Sequence, residues 1–447
     1  MTTLSSIRKW GVAAFTALAV AVPVAAAPTP ATAAATSFDH ILYWNDVLLK
    51  AYRQTGGPPT VLSRAGAMLH IALFDTHTAI SNIGTPYLTS GVNRDPSATY
   101  DLKANLDVAA YNLLQLELFP GIDFSSDFQK ARLDAPNYEP GPGGFSTSIA
   151  ESVVDNIRLN RANDGSTDNT PYTPSTEPGQ WRPTDGAAAA SPNWGRVRPF
   201  ALTSGSQFRP APPGGYSTAQ TLLASHDYAV QVNEVRALGA ANSTTRTATQ
   251  TQIAYFWAND VDGTYKPPGQ LFKLTQTVAK QRGLSQAANA KLFALVGMAM
   301  GDAAITAWDA KYQTDIDLWR PVTAIREAGT DGNGETEADT AWQPLSNNAG
   351  VPFSPNFPAY VSGHATFGGA WAGIMRRYFG TDSITFTATT EDPHAVGVTR
   401  TFTSFTAASV ENARSRVYLG VHYQWDGDNG VAAGDAVAGH VFANYLR

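Results

Sequence analysis

Apolar positions along this 447-residue chain cluster in runs of helical length. Residues 37 to 135 carry helical signals, clearest in the Ala-rich run from Arg64 to Ile80. From Ser217 onward helical patterning dominates. Ser285 is placed to N-cap a helix running to about Trp308. A second helix starts near Ser362 and stops at Gly380, a residue suited to the left-handed C-cap. A third spans about Phe405 to Gly420, and a fourth about Gly430 to Tyr445. Alternating runs of the strand type are scarce, Ser383–Thr389 being the clearest. The pattern predicts an all-α protein built of helical bundles.

The stretch from 136 to 216 interrupts this pattern. It holds 12 of the 28 prolines, including Pro140, Pro142, Pro210, Pro212 and Pro213, a density that argues against long helices. Trp181, Trp194 and Phe200 are interleaved with them, which points to an ordered segment wrapping a core rather than a linker. The expected organisation is an N-terminal helical region over 37–216, including this wrapping segment, and a C-terminal helical domain over 217–447.

The first 33 residues read as a secretion signal. Arg8 and Lys9 precede a charge-free apolar run, Gly11 to Ala27, and small-residue cleavage sites follow at Ala25–Ala27 and Ala31–Ala33. Pro28 disfavours the first, so cleavage is expected near Ala33. The run is short for a bilayer span of about 20 residues, so the expected mature chain is exported and carries no membrane span.

Composition then narrows the chemistry. Zero cysteine removes disulfide scaffolds, zinc ribbons, iron–sulfur sites and thiol nucleophiles. The net charge of −6 argues against a nucleic-acid partner. The remaining chemistry concentrates in three C-terminal segments. The first runs from Lys311 to Arg320-Pro321. The second is Ser362-Gly363-His364. The third is Ser415-Arg416 followed by His422 and Asp426. Together they hold three cations, two histidines, a hydroxyl and a carboxylate, an inventory suited to a tetrahedral oxyanion. Guanidinium groups bind such anions in fork geometry, and lysine adds a point charge. Backbone N–H groups at the start of the Ser362 helix would face the anion.

In this order, the three segments resemble the vanadium-dependent haloperoxidase and type-2 phosphatidic acid phosphatase superfamily. The third segment matches its signature in full, and the second matches with Val361 in place of proline. Phe357–Tyr360, Ala365–Ala370 and Arg246–Trp257 are similar to the haloperoxidase branch, and Arg64–Asp75 to secreted bacterial members. The resemblance implies vanadate as cofactor, with phosphate competing for the same site. It assigns His422 as the axial vanadium ligand or phosphate nucleophile, Asp426 as the group orienting it, and His364 as the acid–base group. Lys311, Arg320, Arg416, Ser362 and Gly363 would bind the oxyanion. Phe357 stands where fungal chloroperoxidases of the family have phenylalanine, and Trp308 would form the other wall of the halide pocket. Asp260 is the expected salt-bridge partner of Arg416.

One spacing departs from the family pattern. Lys311 and Arg320 are nine apart where the family places about seven. At about 100° per residue, nine steps on a helix end on the opposite face. A bulge or an early helix end is therefore expected within Gln313–Leu318. The leading functional expectation is an exported haloperoxidase using hydrogen peroxide and halide. A secreted acid phosphatase acting on phosphoesters, and a non-catalytic oxyanion-binding protein, stay open on the sequence. Two weaker candidates are a calcium-like loop at Asp331–Glu335 and the pair His70 and His77, for which a packed or capping role is favoured.

Overall fold

In the computed structural model, which describes residues 38–88, 92, 94–134, 146–184 and 186–447, helices dominate as the patterning predicts. They are α1 His40–Thr55, α2 Pro59–Ser81, α3 Leu102–Leu113, α4 Ser125–Arg132, α5 Ser148–Arg161, α6 Ala219–Leu223 and α7 His226–Leu238. There follow α8 Ala248–Ala258, α9 Lys266–Gln281, α10 Gln286–Tyr312, α11 Pro321–Arg326, α12 Gly363–Phe379, α13 Phe405–Tyr418 and α14 Gln424–Asn444. Strand structure among the described residues amounts to two small antiparallel hairpins. These pair β1 Asn347–Asn348 with β2 Val351–Pro352, and β3 Phe386–Thr389 with β4 Thr399–Phe402. The expected secretion signal, and Pro140 and Pro142, lie outside the described residues.

Local chemistry sets the helix limits. The Ser285 side chain accepts from Ala288 N and starts α10, which runs one turn beyond Trp308. Ser362 caps α12 by accepting from Ala365 N, and Gly380 ends it at φ 66°. α14 begins six residues before the expected Gly430, because the Asp426 carboxylate accepts the Tyr423 N–H and fixes the first turn there. The proline-rich stretch needs a correction. It contains the 14-residue helix α5, since no proline lies between Pro142 and Pro171.

Asp39–Arg447 forms one compact unit, and its packing crosses the boundary expected at 216/217: α2 lies along α10. α10 is long and apolar enough to cross a bilayer, but it is buried as the central core helix. The residues after α5 are seated on it. The buried Asp302 carboxylate accepts the backbone N–H groups of Phe200, Ala201 and Leu202 at 2.6–3.0 Å. Trp181 and Trp194 are buried as well.

α12 and α14 make the closest helix pair, and glycine permits it. A Cβ on Gly434 would lie 2.1 Å from the Thr366 carbonyl oxygen, and one on Gly369 would lie 2.3 Å from that of Val431. Backbone meets backbone, so no side-chain adjustment relieves the clash. Gly434→Ala should therefore destabilise the protein by about 3 kcal/mol in urea unfolding. A midpoint unchanged from the parent would refute this contact.

Candidate active site

Five helix ends converge. α10 delivers Trp308 and Lys311 from its last turns and stops at Tyr312, with Gln313 as C-cap. The helix thus ends where the nine-residue spacing requires. Gln313–Trp319 contains no helix, and Arg320 is the N-cap of α11, whose first residue is Pro321. Ser362, Gly363 and His364 form the start of α12. Arg416 sits in the last turn of α13, His422 in the link to α14, and Asp426 in the first turn of α14. The Tyr360–Val361 peptide leading into α12 is cis.

The side chains meet below the surface. His422 Nδ1 lies 2.8 Å from Asp426 Oδ2, and its Nε2 is 3.0 Å from Arg320 Nη1. Arg320 Nη1 can only donate, so Nε2 carries the lone pair and the ring donates from Nδ1 to Asp426. Arg320 also donates to the carbonyls of Phe357 and Val421. Lys311 Nζ, fully buried, donates to the carbonyls of Pro358 and Ala359 at 2.6 and 3.1 Å. Arg416 Nη2 donates to Asp260 Oδ2 at 2.7 Å, the pairing expected for Asp260. His364 Nε2 is 3.0 Å from the Ala258 carbonyl oxygen, which can only accept, so its Nδ1 keeps the lone pair. Ser362 N donates to the Asp426 carbonyl.

A cavity of about 260 Å³ opens onto this cluster. Trp308, Phe357, Gly363, His364, Asp260, Arg416 and His422 all line it. The Trp308 and Phe357 ring centroids are 4.8 Å apart. Lys311 Nζ and Arg320 Cζ lie 5.0 and 4.8 Å from the Phe357 centroid, on the same ring. Ser362 and Asp426 join through the contacts above, so all eleven sequence-predicted residues fall in one neighbourhood.

The sequence and the fold have known relatives. Residues 291–447 match the family model of the VCPO second helical-bundle domain. Vanadium chloroperoxidase of Curvularia inaequalis is 29% identical over 494 aligned positions, covering 87% of this chain and 79% of that protein. The crystal structure of the first bacterial vanadium-dependent iodoperoxidase superposes with TM-score 0.74 at 26% identity, covering 91% of this chain and 96% of that one. The chain is similar to vanadium haloperoxidases in both sequence and fold. A holo-type bacterial vanadium-dependent chloroperoxidase shares the fold at TM-score 0.67 and 18% identity, over 88% of this chain and 93% of its own.

Within the site the charge balance favours an anion. Three buried cations, Lys311, Arg320 and Arg416, face two carboxylates, Asp260 and Asp426, and Asp260 is already paired to Arg416. Burial and the Arg320 charge hold Lys311 well below the usual lysine range. Burial, then Arg320 and Lys311, hold His422 well below the ordinary imidazole value, so it is neutral. Burial raises the Asp426 carboxyl to about 7, against the opposing pull of Lys311. Arg320 Nη2 and Arg416 Nε and Nη1 are buried without a hydrogen-bond partner. Unpaired buried donors of this kind are costly. A tetrahedral oxyanion has the acceptors and the charge to satisfy them, so the residues present fit vanadate or phosphate.

Sequence patterning missed the groups that act through their backbone. The Ala258 carbonyl fixes the His364 ring, and Asn412 Nδ2 holds the His364 carbonyl at 3.1 Å. The Ala190 carbonyl, from the proline-rich stretch, accepts from Trp308 Nε1. No side-chain motif marks a carbonyl role. Among the weaker candidates, His70 lies 4.9 Å from both the Phe272 and the Phe293 rings, a packed position as favoured. The Asp331 carboxylate is taken up by Asn333 N and Thr336 Oγ1 within its own loop.

Burial, reinforced by Arg416, lowers His364 to about 4, while Asp260, 3.8 Å away, opposes that shift. The His364 ring should therefore titrate near pH 4 in an NMR titration. Asp260→Asn should move the midpoint lower still, because it removes the carboxylate that stabilises imidazolium. A midpoint near 6.5 would contradict the buried, cation-flanked environment.

Proposed function

We propose that this protein is an exported vanadate-dependent haloperoxidase, which uses hydrogen peroxide to oxidise halide to a hypohalous equivalent. The observation that carries this reading is the His422–Asp426 pair. It presents a neutral imidazole Nε2 beside three buried cations whose guanidinium groups retain unpartnered nitrogens. The likeness to a vanadium chloroperoxidase and to a vanadium-dependent iodoperoxidase supports the same chemistry.

When bound, vanadate supplies Lewis-acid activation of peroxide without a change in its own oxidation state. His422 would be its protein ligand through Nε2, and Asp426 holds that ring in the required tautomer. Arg320, Arg416, Lys311, the Ser362 hydroxyl and the Gly363 N–H would hold the oxygens. A Cβ at Gly363 would come within 3.1 Å of the Trp308 ring, so a larger residue there would press on the wall of the pocket. Arg320 must give up its 3.0 Å contact to His422 Nε2 for that nitrogen to bind a ligand. The three cations keep the negative charge of the oxyanion in place within a dry site. His364, neutral above about pH 4, can take up the peroxide proton at Nδ1 while its Nε2–H stays on the Ala258 carbonyl. Trp308 and Phe357 form an apolar wall on which a polarisable halide can settle with little competing water.

Mature protein with added vanadate should brominate a dimedone-type reporter in the presence of peroxide. Asp426→Ala should lower the rate about 10- to 100-fold, and His422→Ala should lower it further. Vanadate-inhibited phosphoester hydrolysis without halogenation would turn the reading to an acid phosphatase. Phosphate binding with neither activity would leave an oxyanion-binding protein. Export rests on Arg8, Lys9 and the apolar run to Ala27. N-terminal sequencing of protein recovered from the medium should begin just after Ala33, and retention of Met1 would refute cleavage.

A further inference from the structure

We propose that the proline-rich segment is a positioning element of the oxyanion site, acting through Gln180 on the connection that joins Lys311 to Arg320. This rests on the site binding a tetrahedral oxyanion. Nine residue steps cannot bring Lys311 and Arg320 to one side of a continuous helix. The chain meets this by leaving the helix at Tyr312 and re-entering one after Arg320. The connection is therefore without helical hydrogen bonds of its own. Fixing each such residue costs about 1–2 kcal/mol of backbone entropy. It must also hold two like charges close together. Lys311 and Arg320 stand against the same Phe357 ring, at 5.0 and 4.8 Å.

The proline-rich segment supplies the missing hydrogen bonds. Gln180 acts at two points, its Nε2 donating to the Asp315 carbonyl and its Oε1 accepting the Asp317 N–H, both at 3.0 Å. Around it the two chains form an antiparallel bridge between Gln180 and Leu318. Trp181 N donates to Asp317 O at 2.6 Å, and Trp319 N to Gly179 O at 2.9 Å. Tyr172 adds a hydroxyl donated to Asp317 Oδ2 at 2.5 Å.

The opposite edge of the connection leads into the site. Ala359 N donates to Leu318 O at 2.8 Å, and the Pro358 and Ala359 carbonyls are the acceptors that hold Lys311 Nζ. A shift at Leu318 is thus passed both to Arg320, two residues on, and to the carbonyls under Lys311. The proline-rich segment is in turn anchored on α10. A Cβ at Gly195 would come within 2.5 Å of Asp309 Cα, one turn before Tyr312. Segment, connection and the end of α10 therefore form one closed circuit around the two cations.

The test is calorimetric titration of the mature protein with inorganic vanadate and, separately, phosphate. Gln180→Ala should bind vanadate about tenfold more weakly, since it removes both side-chain hydrogen bonds. Its thermal midpoint without anion should fall no further than that of Asn193→Ala, which also loses two hydrogen bonds. At saturating vanadate its kcat and halide KM should return to parental values, because only the cradle has loosened. Asn193→Ala serves as the control. It removes hydrogen bonds to the Asp168 and Thr170 carbonyls within the proline-rich segment, and neither of these goes to the connection. It should bind as the parent does. Equal affinity of Gln180→Ala and parent overturns the positioning role. So does an equal loss in Asn193→Ala, which would indicate general loosening. A parent that binds neither anion fails separately, and removes the oxyanion reading together with this inference.

Discussion

The rest of the structure depends on holding the basic groups of Lys311, Arg320 and Arg416 close together under cover. All three are fully buried, and only Asp260 and Asp426 oppose them. Such an arrangement costs far more than a surface cluster, because desolvation and mutual repulsion act together. It persists only if the surrounding chain resists the motion that would relieve it. The fold meets that requirement in several ways. Carbonyls of Phe357, Pro358, Ala359 and Val421 accept from the cations without needing charge of their own. Helix ends rather than helix middles carry the side chains, and the helices that start there, α12 among them, have first-turn N–H groups without intrahelical partners.

Rigidity comes from backbone contact as much as from hydrophobic burial. Glycines let α12 and α14 approach until the carbonyl of one helix touches the backbone of the other. That contact fixes the Ser362 end of α12 relative to Asp426 at the start of α14, and the Ser362 N to Asp426 O hydrogen bond closes the gap. Gly420, at φ 81°, plays a related part just before His422. A Cβ there would lie 2.4 Å from the Gly239 carbonyl oxygen, so the link from α13 to α14 turns tightly against α7.

Side chains within the three motif segments were legible in the sequence; groups that work through backbone were not, nor were Asn412 and Gln180, whose side chains hold backbone of distant segments. Helix limits at Ser285, Ser362 and Gly380 followed from capping chemistry, which is local. The break after Lys311 followed from helix periodicity alone. The start of α14 did not, because Asp426 was read only as the partner of His422, whereas its carboxylate also caps Tyr423 N. Helix α5 was hidden by averaging proline content over a stretch whose prolines lie at its ends. The carbonyls of Ala190 and Ala258 carry no side-chain signature, and their roles emerge only when distant segments meet.

Phe357 shows why the halide wall and the oxyanion cradle cannot be tuned independently. One ring packs on Trp308, faces Lys311 and Arg320, and through its own carbonyl accepts from Arg320 Nε at 2.7 Å. The face of an aromatic ring carries partial negative charge, so it lowers the cost of burying both cations while presenting an apolar edge to the cleft. A histidine at this position would add a titratable group beside Lys311 and Arg320, and their charges would hold it neutral. A smaller side chain would leave the two cations facing an open cavity, with water free to compete for their donors. The residue that shapes the cleft for its substrate is therefore also part of what stabilises charge in the anion site, and a substitution aimed at one property acts on both.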